Sequence, residues 1–451
     1  MRYLLLLCFF VTSLTAAEPL PLSKSYWKDT AFLKSFNGSY RINARIEPTV
    51  SSEERGLLVS IQSLMAAGKR KEALAKLTAS SKIKSSAAIA FNAGNIEFEL
   101  GDLKAASSYY ERAVKIFPSF RRAHRNLGFT YARSDEWEKA MPAFEEAIKL
   151  GDQDGATYGQ LAYGRMQKEQ YASALQAYRL AQVTQPESID WKAGVAQCLQ
   201  YLQRNEEALA LIDEVIQVRP KEVSYYLLQA SIQLSLDRID DAMTNLELVR
   251  RMGELDAENH LLLANLHLRT GNTKLAKPVM MKAITMEQKP AYIAALNILE
   301  FTIQTQEWKL AREFAEATQK VWSDVKDVKL VRQQKRLGAL IDIESGENPQ
   351  RGAEVLEKLI QSDPLDAFAL IFLARYRVTE KRYQEAEMLL QQSARIKGGE
   401  YESHLELAKL YVARARYEDA LKQLDLVLKI RATDEIQNYR TAIANLVDAV
   451  R

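Results

Sequence analysis

Small and aromatic side chains return at a fixed distance along this chain. Set Ala87–Phe120, AAIAFNAGNIEFELGDLKAASSYYERAVKIFPSF, beside Arg121–Asp154, RRAHRNLGFTYARSDEWEKAMPAFEEAIKLGDQD. Gly94 then answers to Gly128, Ala106 to Ala140, Tyr110 to Phe144 and Ala113 to Ala147, each 34 residues apart. The register runs on through Ala162, Ala196, Ala230 and Ala264 in the first half of each unit, and through Ala174, Ala208, Ala242 and Ala276 in the second. Pro118, Pro186 and Pro220 close units. A period of this length means stacked supersecondary units rather than one globular core. Short side chains recurring at fixed places allow two helices to approach closely, and large ones such as Leu127, Tyr131 and Phe144 fill the space between neighbouring units.

These residues resemble the tetratricopeptide repeat (TPR) family, whose unit is a helix-turn-helix of 34 residues. The resemblance implies an all-α fold, an α-solenoid forming a right-handed superhelix. One such hairpin cannot bury its own apolar face, so neighbours must stack. Eleven units are expected, starting near Glu54, Ala87, Arg121, Gly155, Ile189, Val223, Ala257, Tyr292, Gln333, Ala367 and Tyr401. The eighth slips by one residue, and SDVKDVKL adds length before the ninth, so an irregular joint is expected at 326–332 between repeats 1–8 (54–325) and 9–11 (333–434). Gly352 stands in the ninth where alanine is expected, with Pro349 at its turn. Pro142 and Pro278 lie early in second helices, where proline would kink them. In the last segment, 435–451, Ile436, Tyr439, Ile443 and Leu446 form one stripe, the pattern of a capping helix that an open array needs.

Composition agrees with helices: glycine and proline are scarce at 18 and 11 of 451 residues, while Ala, Leu, Glu, Gln, Lys and Arg abound. Lys and Arg total 61 against 58 Asp and Glu, which lacks the basic excess of a nucleic-acid binder. The opening MRYLLLLCFFVTSLTAA has the form of an export signal, with Arg2, an apolar run from Leu4 to Val11, and small residues at Thr15-Ala16-Ala17. That run is short of the roughly 20 residues a bilayer span needs. Cys8 lacks the small residue a lipobox wants before its cysteine. Cleavage after Ala17 would leave Cys198 alone, so stability would come from packing rather than a disulfide. An exported, periplasmic protein is expected, with secretion as the alternative. The segment from 18 to 53 lies outside the repeats, and its Trp27, Phe32, Phe36 and Tyr40 are too apolar for a free linker. They are expected to lie along the protein's own array or to dock on a partner. Asn37 opens a glycosylation sequon.

Little in the chain points to chemistry. His124, His260 and His404 share the fourth position of their repeats and His267 takes the eleventh, places where helices pack, with no adjoining ligand pattern. GDQDG at Gly151 lacks the ordered acids of a calcium loop and reads as a turn between units. No phosphate loop, nucleophile elbow or zinc-helix motif occurs. Neither a cofactor nor a metal is expected, and the chain is read as a non-enzyme.

The resemblance also implies a concave groove lined by first-helix positions 2, 5, 9, 12 and 13. These positions share a helix face. Arg122, Arg125 and Arg133 fall on it, with Arg121 at its edge and Phe129 among them. Asn95 and Phe98 come from the unit before, and Tyr163, Gln167, Gln197, Gln200 and Tyr201 from units beyond. Guanidiniums around an aromatic ring can clamp carboxylates bidentately. Asn95 and Arg122 match two places of the carboxylate clamp of chaperone-associated TPR domains. Leu58, Gln62 and Asn126 depart from the other three, so that clamp's ligand is not implied. Two readings stay open: these arginines bind an acidic or C-terminal peptide, or they pair with acids of nearby helices such as Glu97 or Glu99. The expected function is a non-catalytic exported scaffold holding a protein or peptide in an envelope assembly, with outer-membrane or TonB-type machinery as partner by resemblance. The alternative is a recognition subunit of a complex acting on cell-wall glycan or exopolysaccharide, for which the tyrosines and glutamines would suit sugars.

Overall fold

The computed structural model describes Leu20, Trp27, residues 46–286 and residues 291–450. The expected signal peptide (1–17), Cys8, the Asn37 sequon and most of the aromatic arm lie outside the described residues. Among those described, every regular element is helical and no strand occurs. The chain divides into two compact units, one ending at Met252 and the other beginning at Gly253.

The N-terminal unit holds six hairpins. They are α1 (Ser52–Ala66) with α2 (Arg70–Thr78), α3 (Ala87–Leu100) with α4 (Leu103–Ile116), and α5 (Arg121–Arg133) with α6 (Trp137–Lys149). Then come α7 (Gly155–Gln167) with α8 (Tyr171–Thr184), α9 (Ile189–Tyr201) with α10 (Asn205–Val218), and α11 (Val223–Ser235) with α12 (Ile239–Met252). A 3-10 turn, Ser81–Lys84, joins the first two hairpins. The C-terminal unit continues with α13 (Ala257–Arg269) and α14 (Thr273–Ile284), then α15 (Ala291–Gln304) and α16 (Trp308–Val321). It ends with α17 (Val328–Glu344) and α18 (Pro349–Ser362), α19 (Ala367–Thr379) and α20 (Tyr383–Ser393), α21 (Glu400–Ala413) and α22 (Tyr417–Ile430), and a last helix, α23 (Asp434–Val450).

Each hairpin turns on one residue in the left-handed region. These are Gly68, Gly101, Asp135, Glu169, Gln203, Asp237, Gly271, Gln306, Gly346, Lys381 and Ala415, with φ between 55° and 88°. They recur every 33–35 residues except across the 40-residue interval from Gln306 to Gly346, which marks eleven hairpins and one insertion. The insertion is smaller than the irregular joint expected at 326–332, because Asp327 caps α17 through its carboxylate and the chain is helical from Val328 onward. Helix starts elsewhere use the same device. Ser51 and Glu54 form a reciprocal capping box at α1, and Asp102, Asp256 and Asp366 accept from backbone N–H groups of α4, α13 and α19. The helices α6 and α14 run on through Pro142 and Pro278.

Packing follows the period. Ala162, Ala196, Ala230 and Ala264 are buried in first helices, and Ala174, Ala208, Ala242 and Ala276 are fully buried in second helices. Phe91, Tyr110, Phe120, Phe129 and Phe144 build a continuous aromatic core across the second and third hairpins. On α23, Ile436 and Ile443 are buried and Tyr439 packs beside them, as a cap requires. Leu446, expected on the same stripe, is instead exposed. In the N-terminal unit the first helices α3, α5, α7, α9 and α11 touch one another in succession. Their shared side is therefore the inner one, and it is where the candidate residues lie.

Candidate functional site

The helix α5 carries the centre of the expected site. Arg122 is buried, and its guanidinium donates Nε–H and Nη2–H to the two carboxylate oxygens of Glu47, both at 2.9 Å. Glu47 is itself only 6 % exposed, so this is a fork-to-fork pair sealed from water. The same guanidinium lies over the Phe91 ring at 5.1 Å. Just before it, the Arg121 backbone N–H donates to the Ile46 carbonyl at 3.3 Å, so the chain leading into α1 is held against the start of α5. Removing one partner of such a buried pair typically costs about 3–5 kcal/mol, because the other charge is left desolvated.

Arg125, also buried, reaches Asp154 at 3.5 Å; Asp154 caps α7 by accepting from the Ala156 N–H. Asp152 accepts from the Thr157 hydroxyl at 2.6 Å, and burial raises its carboxyl above the usual range against the pull of Arg125 and Arg121. The segment GDQDG is thus a turn between repeats whose acids serve α5 and α7. Arg133 is exposed, stacks over Phe98 at 4.9 Å and donates to the Phe98 carbonyl at 3.4 Å. Arg125 thus pairs with an acid of the neighbouring first helix, as one of the two readings expected, although the acid is Asp154; Arg70 takes Glu99, and Arg122 takes an acid from outside the repeats.

Asn95 spends its carbonyl within the core, accepting from Tyr110 at 2.6 Å and from Asn126 at 3.0 Å. Phe129 is buried, edge-on to Phe144, and on its other side meets Trp27 in a T-shaped contact with centroids 6.4 Å apart. Tyr163 leans on Trp137 and accepts from Gln167 at 3.2 Å. Tyr201 stacks flat on Tyr171 at 4.3 Å, and burial raises its phenol to about 12. Gln197 is buried, and its carbonyl accepts the backbone N–H of Leu20 at 2.8 Å. Gln200 donates to Ser231.

Three points of the N-terminal arm meet candidate residues. Leu20 meets α9, Trp27 meets α5, and Glu47 meets the first turn of α5. Trp27 was legible as an apolar residue lacking a repeat to belong to. Glu47 was not, because nothing periodic surrounds it.

Three of the four histidines make hydrogen bonds within the array. His124 bonds the Pro118 carbonyl, His260 the Asp256 carbonyl and His404 the Gln423 amide. Among the described residues, no three His, Cys, Asp or Glu side chains converge to hold a metal ion. Burial beside Met166 pushes the Cys198 thiol up to about 12, far from a nucleophile's range. No helix of the described residues is long and apolar enough to cross a membrane.

Models of the tetratricopeptide repeat match three separate stretches, residues 94–135, 257–290 and 377–446. Each lies on helices of the array described above. The chain belongs to the tetratricopeptide-repeat family. Among curated proteins it is 24% identical over 208 residues to tetratricopeptide repeat-containing protein trd-1 of Caenorhabditis elegans, covering 46% of this chain. It is likewise 24% identical over 196 residues, 42% of this chain, to DnaJ homolog subfamily C member 3 of Bos taurus. The matched region spans 24% and 34% of those two relatives. Among solved structures it is similar to a TPR protein of Parabacteroides merdae (18% identity, 57% of this chain and 98% of that one, TM-score 0.38). Yeast Tom70 aligns at 13% identity over 84% of this chain and 99% of that one, with a TM-score of 0.35. YrrB, described as a TPR protein with an unusual peptide-binding site, aligns at 20% identity over 36% and 87%, with a TM-score of 0.33.

Proposed function

We propose that this TPR protein is a non-catalytic scaffold that holds a protein segment along the first-helix side of its N-terminal unit, with a carboxylate seated on Arg122. The observation that carries this reading is the Glu47–Arg122 pair: a guanidinium on the inner face of α5 takes a carboxylate in bidentate geometry, from a residue outside the repeats. Arg125 lies about one helical turn on, paired with Asp154, and Phe129 adds a ring. The carboxylate chemistry favours an acidic segment or a C-terminus over a sugar. The finer reading is that the protein works outside the cytoplasm, in the bacterial periplasm, as part of an envelope assembly. The export-like features from Arg2 to Ala17 support that placement, and the partner there is a protein of the envelope, with outer-membrane or TonB-type machinery as the candidates.

The test is co-purification from the native host, with the wild-type chain and an Arg122→Gln/Arg125→Gln variant matched for helix content by circular dichroism. Envelope proteins should accompany the wild type and fall roughly a hundredfold with the variant, since two charge-assisted contacts at about 1.5 kcal/mol each are lost. Equal capture by both would refute the groove reading. A wild-type chain recovered in the cytosol with residues 1–17 intact would refute the placement.

A further inference from the structure

We propose that the first hairpin, α1–α2 with the 3-10 turn after it, docks on an anionic bilayer surface. This contact is separate from the groove and does not depend on it. The argument starts from where the charge lies. Residues 51–86 hold seven Lys and Arg against three Asp and Glu, a net +4, while the rest of the chain holds 54 against 55, a net −1. The chain's whole positive excess therefore sits in this hairpin. Lys69, Arg70, Lys71, Lys76, Lys82 and Lys84 are all exposed, because α2 buries only Ala73 and Leu77 and the 3-10 turn buries nothing. Lys69 pairs with Glu72 and Arg70 with Glu99. Among the described residues, Lys71, Lys76, Lys82 and Lys84 take part in no ion pair. An open cleft brings Lys76 and Lys82 beside Glu53 and Glu54, and Glu54 is engaged in the capping box with Ser51. Two cations against two acids leave that cleft without net charge, so it does not select a single phosphate group. The excess is spread over a surface instead.

Two features select a bilayer from among anionic surfaces. The hairpin keeps apolar side chains half open: Leu57, Leu64, Met65 and Leu74 are only partly buried, and Val59 is 58 % exposed. A terminal repeat ordinarily turns a polar face outward. Cations mixed with open apolar groups suit the boundary between lipid headgroups and acyl chains. The second feature is the kind of cation. Five of the seven are lysine, and residues 51–86 contain no Phe, Tyr or Trp. Lysine is a point charge on a long flexible stem, able to follow lipid phosphates that move in the plane of the membrane. A nucleic acid would call for the planar grip of arginine and for rings on which bases stack.

The test is co-sedimentation of the full chain with vesicles of phosphatidylcholine alone and of phosphatidylcholine mixed with phosphatidylglycerol. The wild type should bind the anionic vesicles at least about a hundredfold more tightly than the neutral ones, and high salt should erase the preference. A Lys71→Gln/Lys76→Gln/Lys82→Gln/Lys84→Gln variant should lose that preference, and the Lys71→Arg/Lys76→Arg/Lys82→Arg/Lys84→Arg variant should keep it. All four side chains are exposed, and Gln and Arg serve a helix as well as Lys, so both variants keep the fold. Apolar attachment through the run from Leu4 to Val11 is common to the two kinds of vesicle and drops out of their ratio. Equal binding to both vesicles, or a preference that the Gln variant retains, overturns the proposal. So does tighter binding to polyglutamate or duplex DNA than to the anionic vesicles. Amide hydrogen exchange reads the surface directly: residues 69–84 should exchange more slowly on anionic vesicles and at an unchanged rate on neutral ones. Protection confined to other hairpins would place the contact elsewhere and refute it.

Discussion

Gly94 and Gly128 show how tightly single residues bind the repeat to its shape. A Cβ added at Gly94 would lie 2.8 Å from the Tyr110 ring, and one at Gly128 only 2.6 Å from the Phe144 ring; both rings are fully buried. Carbon atoms do not approach so closely, so the rings or the helices must move. Gly128→Ala should therefore lower stability by about 1–3 kcal/mol, as overpacking does, read from the midpoint of urea unfolding. Phe144→Leu in the same chain should return part of that loss by making room; no recovery would show that the glycine acts through something other than this contact. The glycine–ring pairs were legible in the sequence, because both partners recur together at 34 residues. The fate of Arg122 was not. Helical spacing tells which face an arginine occupies, but its partner Glu47 lies 75 residues upstream in a stretch without periodicity. Spacing alone left the arginines between a ligand and the acids of nearby helices; Arg125 takes such an acid in Asp154, and Arg122 takes a third kind of partner in Glu47.

The hairpin is the element in which local rules and observed geometry part company. Each turn needs a residue in the left-handed region, the conformation glycine adopts at least cost, yet seven of the eleven carry another residue. A reader searching for glycine at the end of each first helix finds only Gly68, Gly101, Gly271 and Gly346. The period of small and large residues survives because it reports packing, which many side chains at the turn leave untouched. Ala415 offers the cleanest test, because it lies at φ 55° with no side-chain hydrogen bond to justify the position. Ala415→Gly should raise the stability of the hairpin α21–α22 by about 1 kcal/mol, the relief of a left-handed L-residue less the entropy glycine adds to the unfolded chain. A rise in the thermal midpoint of the C-terminal transition checks it, and a fall would mean that Ala415 contributes a contact outweighing its backbone strain. The joint before α17 illustrates the opposite error. Extra length in SDVKDVKL was read as irregular chain, whereas Asp327 within it starts a helix early.

At the scale of the molecule, stability in a repeat array is a sum of neighbour contacts, and that sum has consequences at an end. The last hairpin, α21–α22, has one neighbour in α20 and the other in α23, which buries Ile436 and Ile443 against Leu424, Val427 and the rest of that cluster. Without α23 those apolar side chains would face water, at a cost of about 25 cal/mol for each Å² exposed. Ile443→Ala should therefore loosen the end locally by about 2–5 kcal/mol, the range for truncating a buried isoleucine. Amide hydrogen exchange mapped along the chain reads the outcome: α21, α22 and α23 should exchange faster, α19 and α20 less so, and α13–α16 at their wild-type rates. A uniform acceleration across α13–α23 would mean that the C-terminal unit opens as one cooperative body, and nearest-neighbour coupling would then be the wrong description of it. A gradient that fades over two hairpins would instead show that each repeat is held chiefly by those beside it, as the recurrence of contacts from one hairpin to the next implies.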